Sequence, residues 1–203
     1  MRTVTVSGHG AATAHPDSAV VRVAAVHRGA TLTDALAGAS SAGDTAVAVA
    51  RGHVAASSVG TVELAVWPAH DEQGRPAGFE ARHGYRIACD SLEVAGTLVG
   101  ELATQVGDRL QVEGVTLEIS DSSVALAAAR EAAYADALAR AEHLAALAGV
   151  TLGDVQAIVE GAVAGLSAQT GEVGAAYSSR LDLTFEPGRS SLAQALTVTW
   201  AVV

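Results

Sequence analysis

The sequence predicts an α+β fold with helices laid on antiparallel sheets, and three observations carry that prediction. Helical and strand periodicities interleave along the 203 residues. A direct hairpin nonetheless sits mid-chain, and a second is expected at the end, which a doubly wound parallel sheet does not contain. The hairpin strands alternate apolar and polar residues, as antiparallel strands with one wet face do.

The elements follow in order. Thr3 to Val6 alternates as a strand, and Ser7-Gly8-His9-Gly10 reads as a tight turn needing glycine backbone freedom. After Pro16-Asp17, residues 19–27 carry Val20, Val21, Val23 and Val26, apolar on both faces, which predicts a buried strand. Thr31 opens a helix over 31–50, with Asp34 at capping-box spacing in place of the usual glutamate. Leu32, Ala35, Leu36, Ala39, Ala46, Val47 and Ala50 share one helical face. Gly38 and Gly43 cost that helix about 1 kcal/mol each against alanine, so packing must hold it.

Val62, Leu64 and Val66 alternate with Thr61, Glu63 and Ala65 in the first hairpin strand. The polar segment 68–78 contains the turn signal Gly74-Arg75-Pro76. The return strand places Phe79, Ala81, Tyr85, Ile87 and Cys89 on a dry face and Glu80, Arg82, Arg86 and Asp90 on a wet one. Ser91 caps a helix over 91–106 that turns Leu92, Ala95, Val99, Leu102 and Val106 inward, and Gly107 ends it. Residues 110–120 form a strand through Val115, Leu117 and Ile119.

Asp121-Ser122-Ser123 opens the longest helix, 123–148, expected to bury Ala127, Tyr134, Leu138, Ala141, Ala145 and Ala148 and to carry an Asp136–Arg140 pair outside. Gly149 ends it, and 155–159 is a short strand. Residues 161–174, rich in Gly, Ala, Ser and Thr, read as a mobile connection. Leu181, Leu183 and Phe185 alternate as a strand, Glu186-Pro187-Gly188 turns, and 194–203 is the final strand.

Composition sets the function classes. Alanine supplies 45 residues and Phe, Trp and Tyr together seven, so the core is knit from small side chains that bring elements close together. Lysine is absent; 12 arginines face 22 acids, for a net charge of −10. That balance argues against a general nucleic-acid binder and against docking on an anionic membrane. The single cysteine, Cys89, allows no intrachain disulfide. No run of 18 apolar residues is present, and Met1-Arg2 leads directly into a strand pattern rather than an apolar leader. The location expected is cytoplasmic, or periplasmic or extracellular if a leader has been removed. One domain, 1–203, with two lobes is expected.

No catalytic, cofactor or metal site is expected. His9 and His15 straddle the first turn and His70 and His83 sit at the hairpin, without the spacing or cysteine partners of a zinc site. Cys89 lies on the apolar strand face, where a thiol is buried and inert. Ser7-Gly8-His9-Gly10 opens onto no helix and so offers a phosphate nothing. Asp71-Glu72 has too few oxygens for calcium and reads as a solvated hairpin tip. Glu80, Arg82, Arg86 and Asp90 form a water-facing ion-pair ladder or line an interface or polar cavity, with the ladder preferred.

The order of short motifs resembles the SIMPL domain family, also known as a domain of unknown function. The resemblance rests on Val4-Thr5-Val6-Ser7-Gly8-His9-Gly10, Pro16-Asp17, Gly84-Tyr85-Arg86-Ile87, Ser91-Leu92, Ala129-Arg130-Glu131-Ala132 with Asp136-Ala137, Ala141-Glu142-His143-Leu144-Ala145, Gly149-Val150-Thr151-Leu152-Gly153, and Glu186-Pro187-Gly188. Arg140 stands where the family usually has lysine. The resemblance implies helices on antiparallel sheets in two lobes, ring- or channel-like assembly in some bacterial members, links to oxidative-stress defence or surface antigens, and no established activity. A non-enzymatic homo-oligomer is therefore expected, assembling through β-surface near the C-terminus, where Ala195, Thr197, Thr199, Ala201 and Val203 form a face without charge. The alternative is a module binding a small apolar or lipid-like ligand in a cavity that small residues leave between helices and sheet. A metal-dependent or hydrolytic enzyme is the least favoured reading.

Overall fold

A computed structural model describes residues 2–161, 167–168 and 183–203. Along them run β1 (Thr3–Ala14), β2 (Ser18–Gly29), α1 (Leu32–Arg51), β3 (Val59–His70), β4 (Pro76–Cys89), α2 (Leu92–Val106), β5 (Leu110–Glu118), α3 (Ser123–Leu147), β6 (Leu152–Glu160), β7 (Ser167–Ala168) and β8 (Ser190–Val202). Every strand pairing among the described residues is antiparallel, so the fold is α+β. The chain divides into two compact units. One comprises residues 1–16, 121–171 and 188–203, the other 17–120 and 172–187.

In the first unit the strand order is β1-β8-β6, with β7 also pairing with β8. The final strand is thus central. The expected terminal hairpin does not form, because β1 and β6 already occupy both sides of β8. Leu183 to Arg189 has no regular structure, and Leu181 and most of 161–174 lie outside the described residues. Leu183 and Phe185 instead pack on the core of the second unit.

Helix α3 lies on β1 and β8 and buries Ala129, Ala133, Ala137, Ala141 and Ala145, with Tyr134 and Leu138 beside Trp200 and Val198. The expected stripe was rotated, since Ala127 and Ala148 are exposed. The buried alanines follow a strict i, i+4 row, and the glycines of β1 select it. Ser7 to Gly10 is not a turn but continuous strand, and neither glycine has positive φ. Their use is to lack a Cβ. One on Gly8 would collide with the Ala133 carbonyl and lie 2.5 Å from the Ala137 nitrogen; one on Gly10 would strike the Ala129 carbonyl. Small residues here close the gap between helix and sheet rather than leave a cavity, against the expectation above.

In the second unit the order is β3-β4-β2-β5. Helices α1 and α2 cover one face, around Val21, Val23, Ile87, Leu98 and Leu102. Central β2 is buried on both faces, as its valines indicate. Thr31 caps α1, accepting from the Asp34 N–H at 3.2 Å and donating its hydroxyl to Asp34 Oδ2 at 2.7 Å. The α1 stripe shifts slightly, leaving Leu32 exposed and burying Ala42 and Val49. Gly38 and Gly43 make room for the His27 ring and the Tyr85 hydroxyl, so packing offsets their helical cost.

Candidate functional site

The residues of interest in the first unit gather at the open edge of β1. Val202 N–H donates to the Arg2 carbonyl, so even-numbered residues of this strand face β8 and odd-numbered ones face outward. An edge of this kind recruits other strands unless guarded. Helix α3 guards it at two points. Asp136 Oδ2 accepts from the His9 backbone N–H at 2.9 Å, and Arg140 Nη1 donates to the Ser7 carbonyl at 3.2 Å. Arg140 Nε also donates to Asp136 Oδ1 at 3.0 Å. The i, i+4 pair expected on the outside is therefore a clamp on the strand. The His9 N–H, helped by Arg140, holds the Asp136 carboxyl below the usual carboxylate range. Glycines at 8 and 10 bring the helix close enough for the short Asp136 side chain to reach the edge.

Beside the clamp is an open depression of about 630 Å³, lined by Val6, Ser7 and His9 of β1 and by Ala139, Arg140, His143 and Leu144 of α3. Positions 136, 140, 143 and 144 share one face of α3 by helical spacing.

Across the sheet from α3, the β1 and β8 side chains of the outer face are neutral apart from His9. Thr5 and Thr199 stand opposite one another with hydroxyls hydrogen-bonded at 2.9 Å, and Ser7 and Thr197 do so at 3.0 Å. Toward α3, Gln194 is 2% exposed. Its Nε2 donates to Glu160 Oε1 at 2.7 Å, where Arg130 of α3 also donates from Nε at 2.9 Å and Nη2 at 2.8 Å. The Gln194 Oε1 has no hydrogen-bond partner among the described residues.

The outer face of the second unit is the opposite in character. Glu80, Arg82 and Arg86 lie there as expected, while Asp90 lies just past the strand. Arg82 is paired with both Glu63 and Glu113, Arg28 with Glu80, and Arg86 with Glu118 at 3.7 Å. Two of these pairs run from β4 to β5 across β2. Ala24 and Val20, on the β2 face they cross, are buried although α1 and α2 pack on the opposite face.

The remaining residues singled out from sequence take structural places. His83 lies on the hairpin, in the middle of its return strand β4, its Nδ1 hydrogen-bonded to Tyr85 Oη at 2.8 Å. His9 and His15 straddle no turn, since β1 runs on to Ala14. Cys89 is buried, and burial, with Asp90 adding, pushes its thiol up to about 11. Asp71 spends its carboxylate on the turn, accepting from the Arg75 and Gln73 backbone N–H groups at 2.9 Å each and from Arg75 Nε at 2.7 Å. Those bonds, from Arg75 first, lower its pKa. Asp17 likewise accepts from the Ser120 hydroxyl at 2.6 Å and N–H at 2.7 Å, and its pKa falls for that reason. No described helix is long and apolar enough to cross a membrane.

Helix-on-antiparallel-sheet units, with termini paired in one sheet and the middle of the chain forming another, define an α+β protein with no recognisable catalytic constellation among the described residues. Residues 4–200 match the SIMPL family, described as a protein of unknown function (DUF541), and the chain belongs to that family. No curated protein matches it.

Proposed function

We propose that this protein is a non-enzymatic, self-assembling scaffold whose copies meet on the outer face of the β1-β8-β6 sheet. The observation that carries the reading is the charge pattern. On a chain of net charge −10, the β1 and β8 residues that share the face of Thr3, Thr5, Thr197 and Thr199 include no carboxylate to repel a second copy. Its hydroxyls satisfy one another across the strands, so covering them costs little desolvation. A stable interface here would bury on the order of 1,600 Å² in total. Size exclusion with light scattering at micromolar protein tests it: a multiple of 20.3 kDa supports assembly, and the monomer mass rejects it. A stress- or envelope-related role for the assembly follows from the family resemblance, and peroxide sensitivity of a deletion strain tests it. A second reading, a module for a small apolar or lipid-like ligand, is favoured by the depression at the β1 edge.

A further inference from the structure

We propose that the depression between the β1 edge and α3 binds a small organic anion with an apolar body, of the class of medium-chain carboxylates. The volume, about 630 Å³, suits such a molecule. One wall is apolar: Val6, Ala139 and Leu144, the last 44% exposed although large and hydrophobic. Ser7, His9, Arg140 and His143 complete the lining, and among the described residues no carboxylate belongs to it.

The Arg140 guanidinium is fixed before any ligand arrives. Its Nε is held by Asp136 and its Nη1 by the Ser7 carbonyl, while Nη2 makes no hydrogen bond among the described residues. A planar guanidinium held on two sides offers its remaining N–H groups in fixed geometry, which suits a carboxylate and lowers the ordering cost of binding. Asp136 and Arg140 balance one another in charge, so the anion is held by the hydrogen bonds of the remaining guanidinium N–H groups. The two imidazoles supply further donors. A cationic ligand of the same length has no counter-charge in the lining, so the site discriminates by sign as well as by apolar fit.

The test titrates the full-length protein with octanoate and, separately, with octylamine, following backbone amide shifts by NMR. Octanoate is expected to saturate with shifts centred on residues 6–9 and 139–144, and octylamine to leave those residues unmoved. Leu144→Glu, an exposed position whose change leaves the clamp in place, should weaken octanoate about tenfold or more, and His143→Ala should weaken it less. Circular dichroism checks that both variants fold. Equal response to the two ligands, shifts elsewhere, no saturation by about 5 mM octanoate, or undiminished binding in folded Leu144→Glu would each overturn the proposal. Binding in Thr199→Lys separates this claim from the assembly reading, since that residue lies outside the depression.

Discussion

The two units are built alike and finished differently. Each lays helix on one face of an antiparallel sheet and leaves the other face without a helix. In the second unit that face is a lattice of arginines and glutamates, two of which reach across β2. In the first, the β1 and β8 part of it is threonine, serine and alanine with His9 among them. Interspersed charge keeps a sheet face solvated and discourages association, whereas a neutral one invites it. The comparison teaches that the helical side of each unit secures its fold, while the two open sides differ in charge.

The contrast breaks most violently at the helix–sheet contact of the first unit. Gly8→Val places a side chain into the α3 backbone and should cost more than about 4 kcal/mol, enough to abolish cooperative folding of that unit. Gly60→Val in β3, where a Cβ meets nothing, should change stability by less than about 0.5 kcal/mol. Denaturant melts of the two variants check the pair.

Removing the hub of the charged face should have a smaller effect. Arg82→Ala leaves Glu63 and Glu113 without their shared partner, and a loss of about 1 kcal/mol is expected, shrinking as salt rises. A salt-independent loss would mean that the arginine stem, not its charge, does the work.

Acid sharpens the comparison in another way. The folded pKa values of Asp136 in the first unit and of Asp17 and Asp71 in the second are all lowered. Each contribution is therefore complete above the ordinary aspartate range and is lost as pH falls through the lower folded value. Asp136→Asn should flatten part of that acid limb. An unchanged limb in the variant would refute the link between the clamp and pH.

The smallest effect is expected at Gln194. Gln194→Met removes a buried carbonyl that lacks a partner among the described residues, while Arg130 keeps Glu160. Stability should stay within about 0.5 kcal/mol of wild type or rise slightly. A loss of about 2 kcal/mol would show that the Gln194–Glu160 bond matters more than the orphaned oxygen costs.

Much of this architecture is legible in the sequence. Helices expected at 31–50, 91–106 and 123–148 lie at 32–51, 92–106 and 123–147, because Thr31, Ser91 and Gly149 mark their ends. The rotation of α3 was not legible, since alanine on every side of a helix hides which row is buried. Gly8 and Gly10 misled for a related reason. Glycine signals either backbone freedom or the absence of a Cβ, and only the partner helix tells the two apart. The site at the β1 edge suffered from both. Asp136 and Arg140 look like an ordinary surface pair until the strand they clamp is known to lie beneath them. A glycine doublet in a strand, together with an i, i+4 alanine row elsewhere, was the signal available.

The central claim is that the neutral sheet face of the first unit joins copies of the chain. The measurement is the mass by light scattering, at micromolar protein and moderate salt, of wild type beside Thr199→Lys and Thr116→Glu. These place one charge on the neutral face and one on the already charged face of the second unit. The account predicts a multiple of 20.3 kDa for wild type and for Thr116→Glu, and a folded monomer for Thr199→Lys. A wild-type monomer, or an assembly that Thr199→Lys leaves intact, would contradict it.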